Sequence, residues 1–237
     1  MSKNSTSGLK FARQARVRRP RGSLTREAVV EAALAVVDAE GVAALSMPRL
    51  ARQLDAGVMT LYRYVQSKQE LLDAVAMRAI ADVRIEAAES RDALGTLAGW
   101  GRGMRRVLLA HPGVAEVMAR RAVVGPGIFR GVEALLARLQ PDGFEGEPAL
   151  RAVYTVLIYT LGFTIWEVAR VHAQPAVVYA AQWREGFARL EPGQFPHVEA
   201  VLSELGTLAS ETQFEFGLRA LVRGLRESVG PAGEPPS

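Results

Sequence analysis

Residues 46–65 constrain the fold of this chain most strongly, because two helical apolar patterns follow each other there across a very short break. Apolar residues recur at i, i+3, i+4 and i+7 in residues 47–54 and again in residues 58–65. This spacing places them on one face of a helix. Residues 55–57, which include one glycine, separate the two patterns. Two short amphipathic helices joined by so short a turn are typical of a helix-turn-helix.

Capping signals on both sides of this motif predict a small helical unit. Thr25 is a predicted N-cap for a first helix that ends at Gly41. Asp55 stands where a glycine would ease the left-handed turn between the two motif helices, and aspartate tolerates that conformation better than most residues. Ser67 and Glu70 have the spacing of a capping box that opens a fourth helix. We expect this fourth helix to connect the unit to the rest of the chain.

The remainder of the chain also has a helical pattern. No segment shows sustained period-two alternation, which is the pattern of a half-buried strand. The sequence therefore predicts an all-α fold. Further helices are expected over residues 94–109, 114–122, 128–139, 149–172, 175–190, 196–205 and 214–229.

Basic charge is concentrated at the N-terminus. Residues 1–22 carry seven basic residues and no acidic one, so a formal charge of +4 for the whole chain leaves −3 for the remainder. The segment has too few apolar groups to fold alone and is expected to be a disordered arm. Such an arm can lie along DNA phosphates or enter the minor groove. The alternative is a solubilising tail that contacts nothing.

Composition and motifs favour a soluble, non-enzymatic protein. The absence of cysteine excludes disulfides and thiolate chemistry and fits a reducing, cytoplasmic compartment. The longest uncharged run, residues 152–166, is too short to cross a membrane and is expected to be a buried helix. His111, His172 and His197 are far apart, and no glycine-rich phosphate loop or nucleophile elbow appears. We therefore expect no enzyme, no metal, no cofactor and no membrane partner.

The block of residues 25–77 resembles the DNA-binding domain of the TetR family of transcriptional regulators. The resemblance is carried mainly by residues 60–65, with the sequence TLYRYV, followed by Ser67 and Lys68. It implies that Thr60, Tyr62 and Lys68 contact the DNA backbone, which their hydroxyls and ammonium group suit chemically. By this resemblance, residues 25–77 are identified as a helix-turn-helix domain of the TetR type.

The resemblance implies that residues in the first turn of the second motif helix contact the DNA bases. Gly57, Val58 and Met59 occupy it, and none of them can form a bidentate hydrogen bond with a base. Val58 and Met59 can contact thymine methyl groups. The complete set of expected DNA-binding residues is Ser46, Met47, Arg49, Gly57, Val58, Met59, Thr60, Tyr62, Arg63, Tyr64 and Lys68.

The end of the chain extends the resemblance. Residues 214–218, FEFGL, with GL at 224–225 resemble the last helix of the tetracycline-repressor type of C-terminal domain. The resemblance implies an N-terminal three-helix helix-turn-helix DNA-binding domain joined by the fourth helix to a larger helical ligand-binding and dimerisation domain. The expected boundaries are 1–22 for the basic arm, 23–83 for the DNA-binding domain, 84–229 for the second domain and 230–237 for a disordered tail.

The second domain is expected to form a homodimer and to bind a small molecule. Glycines at 217 and 224 beside an apolar stripe favour close packing against a second helix, although a purely intramolecular core helix is the alternative. The expected interface residues are Leu157, Leu161, Phe214, Gly217, Leu218, Leu221 and Leu225. The expected ligand-binding residues are Trp100, Met104, His111, Met118, Phe129, Tyr154, Phe163 and Trp166.

These observations predict a ligand-responsive transcriptional regulator. The expected partners are a palindromic double-stranded DNA operator, a second copy of the chain and a small-molecule effector. Tetracycline-binding members hold magnesium through a histidine where Met118 aligns, so a largely apolar drug or natural product is the expected effector. We expect a repressor that leaves the operator when the effector binds. The alternatives are a helix-turn-helix regulator with a purely structural dimerisation domain and no ligand, and an all-helical enzyme.

Overall fold

The computed structural model describes residues 24–84, 91–171, 176–205 and 208–228. The predicted basic arm, the C-terminal tail and His172 lie outside these residues. Every regular element within them is helical, as the sequence predicts. The helices are α1 (Arg26–Glu40), α2 (Met47–Gln53), α3 (Val58–Leu61), α4 (Lys68–Ile80), α5 (Ala93–Ala110), α6 (Pro112–Arg120), α7 (Pro126–Leu139), α8 (Gly146–Val171), α9 (Ala176–Phe187), α10 (Pro196–Glu199), α11 (Leu202–Leu205) and α12 (Glu211–Ser228).

The helices α1 and α2 begin at side-chain caps, and the turn between α2 and α3 has the predicted left-handed residue. The Thr25 hydroxyl accepts a hydrogen bond from the Ala28 N–H at 3.1 Å at the start of α1. The Ser46 hydroxyl accepts one from the Arg49 N–H at 3.4 Å at the start of α2. Asp55 has a φ of 52°, so it adopts the left-handed turn between α2 and α3. Local hydrogen bonding thus fixes the geometry of the helix-turn-helix.

The capping box before α4 is displaced by one residue from the predicted arrangement. The Ser67 hydroxyl accepts a hydrogen bond from the Glu70 N–H at 3.1 Å, as expected. The Glu70 carboxylate, however, accepts its hydrogen bond from the Gln66 N–H at 2.7 Å instead of from the Ser67 N–H. The carboxylate therefore stabilises the turn that leads into α4 as well as the helix end.

The second motif helix is shorter than the pattern predicts. α3 ends at Leu61, and the amide N–H groups of Arg63 and Tyr64 bond to carbonyls three residues back. The expectation that the helix continues to Val65 was therefore wrong. Leu61 and Val65 are nevertheless both buried in the core of this unit. A tightened turn of the 3₁₀ type keeps the side chains of Leu61 and Val65 directed toward the same core.

A second core lies between α5, α8 and α12. Val156 of α8 and Leu218 of α12 both approach Gly101 of α5, where an added Cβ would lie 3.1 to 3.3 Å from them. Phe214 and Leu218 of α12 are fully buried in this core within one chain. The prediction that these two residues face a second copy of the chain was therefore wrong. The apolar stripe of α12 is the intramolecular face of the helix.

Gly217 also has an intramolecular partner. The Tyr159 hydroxyl donates a hydrogen bond to the Phe214 carbonyl at 2.9 Å and lies where a Cβ on Gly217 would be. Its close approach explains the glycine without a second subunit, and the expected dimer contact of the half-buried Gly217 stays a prediction. Burial of the Tyr159 ring, reinforced by the nearby Glu215 carboxylate, raises the pKa of this phenol.

A buried ion pair crosses the same core. The Arg105 guanidinium of α5 donates to the Glu167 carboxylate of α8 at 2.8 Å, and the two side chains are 11% and 9% exposed. Arg105 also lies 4.9 Å from the centre of the Phe214 ring, so it contacts all three core helices. α8 is the one described helix whose length and apolar composition suffice for a membrane span, but it packs against α5, α6 and α12.

The segment expected to form one helix over residues 196–205 is divided into α10 and α11. Amide hydrogen bonds around Val201 connect to carbonyls three residues back. Residues 188–201 are all exposed. A short helix without a buried face gains little from packing and does not persist, which accounts for the break.

Candidate functional site

The helix-turn-helix presents a short, mostly apolar surface to solvent. Met59 is 78% exposed and Tyr62 is 42% exposed. Gly57 and Arg63 are also exposed, whereas Thr60 is half-buried. These residues lie on α3, on the residue that precedes it and in the turn that follows it. The predicted backbone-contacting and base-reading residues thus share one short segment that the buried Leu61 and Val65 hold in place.

Lys68 is the first residue of α4, directly after its N-cap. Its side chain forms no hydrogen bond or ion pair with any residue that the structure describes. An ammonium group at this position is opposed by the positive end of the helix dipole. An anion placed there interacts favourably with both the ammonium group and the free N–H groups of the first turn. The position therefore suits a DNA phosphate.

Arg49 is held by an acidic residue of the same domain. Its guanidinium donates two hydrogen bonds to the Glu40 carboxylate at the end of α1, one of them at 2.7 Å. The pair lowers the pKa of the Glu40 carboxyl, mainly through the side-chain hydrogen bond from Arg49. The Glu40 side chain is 50% exposed and the Arg49 side chain is 31% exposed. A phosphate or base that binds Arg49 has to compete with this carboxylate.

This competition gives a testable expectation for Glu40→Gln. The amide cannot neutralise Arg49, so the guanidinium becomes available to phosphates. We expect affinity for arbitrary duplex DNA to rise and the slope of log K against log salt to steepen by about 1 for each Arg49 that gains a phosphate. The measurement is a salt titration of binding to an unrelated duplex. Glu145→Gln, which removes an exposed carboxylate at the start of α8, is the matched control, and equal slopes for both variants would contradict the assignment.

Three of the expected DNA-binding residues are engaged inside the protein. Met47 is 6% exposed and belongs to the core of the first domain, so its predicted DNA contact was wrong. The Ser46 hydroxyl caps α2. The Tyr64 hydroxyl donates a hydrogen bond to the Leu24 carbonyl at 2.7 Å. Tyr64 therefore connects Leu24, just before α1, to the helix-turn-helix.

The helix α6 joins the second domain to the first at both of its ends. At its start, the His111 ring Nδ1 lies 2.9 Å from the Asp38 carboxylate of α1. Gly113 packs so closely on Val37 of α1 that an added Cβ would overlap it. At its end, Arg121 forms an ion pair with Asp73 of α4 at 3.0 Å. These contacts give His111 a bridging role between the domains, and its expected contact with a ligand stays a prediction.

A cavity of about 380 Å³ lies between α4, α5 and α7. Its apolar wall includes Ile80 of α4 and Trp100 of α5. Gly127 and Gly131 of α7 also line it, and an added Cβ on either residue would meet open space. Two glycines four residues apart on one helix were the sequence signal for this cavity. The remaining lining residues are Met77, Ala81, Val83, Arg84, Ile128, Ala134, Leu135 and Arg138.

Among the expected ligand-binding residues, Trp100 is the one that lines this cavity. Phe129 and Tyr154 are 64% and 60% exposed, because they lie on the outer faces of α7 and α8. The hydrophobic periodicity of the sequence identifies apolar positions in a helix. It does not show whether such a residue lies in a cavity wall, in the packed core or on the outer face. The other expected residues pack elsewhere: Met104 and Met118 in the first core, and Phe163 and Trp166 in an aromatic cluster with Phe214.

Comparison with known proteins relates both parts of the chain to one group of regulators. Residues 29–82 match the family model described as bacterial regulatory proteins, tetR family. Residues 89–229 match the model described as tetracyclin repressor-like, C-terminal domain. The second match alone spans more than half of the chain.

Relatives and solved structures agree with these matches. The chain is 34% identical to the HTH-type transcriptional repressor DrrR1 of Streptomyces coeruleorubidus, over 90% of this chain and 81% of that one. It is 28% identical to the class A tetracycline repressor protein from transposon 1721 of Escherichia coli, over 83% and 88%. The crystal structure of Streptomyces coelicolor ActR in complex with actinorhodin superposes with a TM-score of 0.78 at 29% identity, over 88% and 99%.

Proposed function

The chain belongs to the TetR family of DNA-binding transcriptional regulators, and we propose that it is a cytoplasmic repressor that leaves its operator when a small molecule binds the second domain. The family consists of regulators, not enzymes. Repression is supported by relatives that are named repressors. Response to a ligand is supported by the ActR structure, which contains actinorhodin, and by the cavity beside α4.

The position of Lys68 at the start of α4, without a partner among the described residues, is the observation that most strongly supports the proposed DNA interface. It adjoins the exposed segment that carries Tyr62 and Arg63. We propose that Thr60, Tyr62 and Lys68 bind phosphates, whereas Met59 contacts bases through apolar atoms. Such an interface positions the protein well on DNA but reads few hydrogen-bonding groups of the bases. Arg63 supplies the remaining base-reading capacity.

We propose a homodimer that uses the outer face of α8. Leu150, Tyr154 and Ile158 follow one another at four-residue spacing and are 49%, 60% and 51% exposed in the single chain. Phe216 of α12 is 64% exposed as well. A contiguous exposed apolar surface of this kind marks an interaction site. A twofold dimer would place two recognition segments on the two halves of a palindromic operator.

The proposed switch acts through α4. Its first turn carries Lys68, and its last turn contributes Ile80 to the cavity wall. A ligand that displaces the end of α4 therefore changes the position of the phosphate-binding residue at its start. The bridges from α6 to Asp38 and Asp73 make α1 and α4 move together. Because half-sites are about 34 Å apart, altered spacing between the two recognition segments would release the operator.

A thermal-shift screen followed by DNA binding tests this proposal. Compounds that bind the native state raise the melting temperature, and each is then added to the protein on operator DNA. The expected result is a compound that raises the melting temperature and lowers operator affinity. A compound that stabilises the protein and leaves operator affinity unchanged would contradict the switch. It would favour a regulator whose second domain only dimerises.

A further inference from the structure

We propose that the cavity between α4, α5 and α7 binds a compound that combines an apolar body with an acidic group, and that Arg84 and Arg138 provide the opposing charge. This inference rests on the proposed function, since it specifies the chemical class of the effector. The cavity wall is otherwise apolar, and no acidic side chain among the described residues lines it. An acidic ligand would therefore encounter two guanidinium groups and no carboxylate from the described part of the chain.

Arg138 is free to bind such a group. It forms no hydrogen bond or ion pair with the part of the chain that the structure describes, and it lies in the last turn of α7. Two arginines of the neighbouring helix α5 have acidic partners: Arg102 pairs with Glu215 and Arg105 with Glu167. An arginine without an acidic partner, placed in the wall of an otherwise apolar cavity, is the distinguishing feature of this site.

Arg84 has only carbonyl partners among the described residues. Its guanidinium donates to the Ala81 carbonyl at 2.7 Å and to the Val83 carbonyl at 3.3 Å, just after the end of α4. These bonds hold the side chain beside the cavity, and no carboxylate within the described ranges neutralises its positive charge. An acidic ligand that draws Arg84 away from these carbonyls would act directly on the end of α4, which the proposed switch requires to move.

The cavity also has the shape for an extended aromatic compound. Gly127 and Arg138 lie at opposite ends of α7, and eleven residues of helix span about 16 Å. Gly127 and Gly131 leave one side of this length open. Trp100 forms part of the opposite wall from α5. An aromatic ring system with a carboxylate, sulfonate or ionised phenol at its edge fits this combination of an apolar channel and cationic side chains.

A matched pair of fluorescent probes tests the inference on the full-length protein. 8-Anilinonaphthalene-1-sulfonate carries one negative charge, and N-phenyl-1-naphthylamine has the same aromatic skeleton without it. We expect the sulfonate to bind about fivefold more tightly or better, the size expected for an exposed ion pair. Raising the salt concentration should reduce this preference. Arg138→Gln with Arg84→Gln should abolish the preference, whereas Arg130→Gln, an exposed charge on α7 outside the cavity, should leave it unchanged.

A cavity-filling variant separates failure of the inference from failure of the proposed function. Gly131→Leu introduces a side chain into open space and should block both probes while circular dichroism confirms native helix content. Equal affinity for the two probes, with both blocked by Gly131→Leu, would overturn the charge assignment and leave the proposed effector site intact. Binding of neither probe, or binding unaffected by Gly131→Leu, would overturn both the inference and the proposed effector site.

Discussion

Replacing Lys68 by alanine is expected to weaken binding to every DNA sequence by about 100-fold for a dimer. Each of the two ammonium groups would lose one charge-assisted hydrogen bond to phosphate, worth about 1.5 kcal/mol, and a loss of ~3 kcal/mol corresponds to about two powers of ten. The slope of log K against log salt should become shallower by about 2, because two fewer phosphates are neutralised. Binding isotherms at several salt concentrations measure both quantities.

The loss of affinity should not reflect unfolding. Lys68 occupies the first position of α4, where a positive charge is unfavourable to the helix. Alanine has the highest helix propensity, so the variant should melt at or slightly above the temperature of the original protein. Arg151→Ala removes an exposed charge of the second domain and is the control for net charge. An unchanged affinity of Lys68→Ala at low salt would exclude its phosphate role.

Replacing Arg105 by methionine is expected to lower the free energy of unfolding by about 3–5 kcal/mol, because the buried Glu167 carboxylate is left without its partner. Arg105 and Glu167 connect α5 with α8, so the loss affects the core of the second domain. Chemical denaturation measured by circular dichroism provides this value. An Arg151→Met variant should change stability very little, since Arg151 and its partner Glu147 are 76% and 71% exposed.

A double variant separates loss of the ion pair from loss of packing. Arg105→Met with Glu167→Met removes both charges and keeps apolar volume in the core, so it should recover most of the stability lost in the single variant. If the double variant is as unstable as Arg105→Met alone, the main contribution of Arg105 is its packing against the Phe214 ring. The unpaired Glu167 carboxylate would then not be the cause of the reduced stability of Arg105→Met.

The sequence was most informative where short-range chemistry determines structure. The caps at Thr25, Ser46 and Ser67 and the left-handed turn at Asp55 were all predictable, because each depends on one residue and its immediate neighbours. The helical class followed from apolar spacing alone. The premature end of α3 was not predictable, since the same spacing fits a helix and a tightened turn.

Side-chain roles in the second domain were harder to predict. The stripe of α12 was compatible with either an intramolecular or an intermolecular partner, and only tertiary contacts show that Phe214 faces α5 and α8. The cavity was missed because empty space depends on residues from three helices, and the spacing of Gly127 and Gly131 was its one local signal. The pairing of Arg49 with Glu40 joins the end of α1 to α2 across the intervening turn, which periodicity within one helix does not reveal.

The most direct test of the central claim is the binding of the purified protein to the DNA that flanks its own gene. Fluorescence anisotropy at 0.15 M salt should give a dissociation constant of about 10⁻⁸ M or lower, at least about 1,000-fold below that for a shuffled duplex of equal composition. The bound species should contain two chains on a palindromic site. An effector that binds the second domain should abolish the difference in affinity between the flanking and shuffled duplexes. Equal affinity for the flanking and shuffled duplexes would contradict the account.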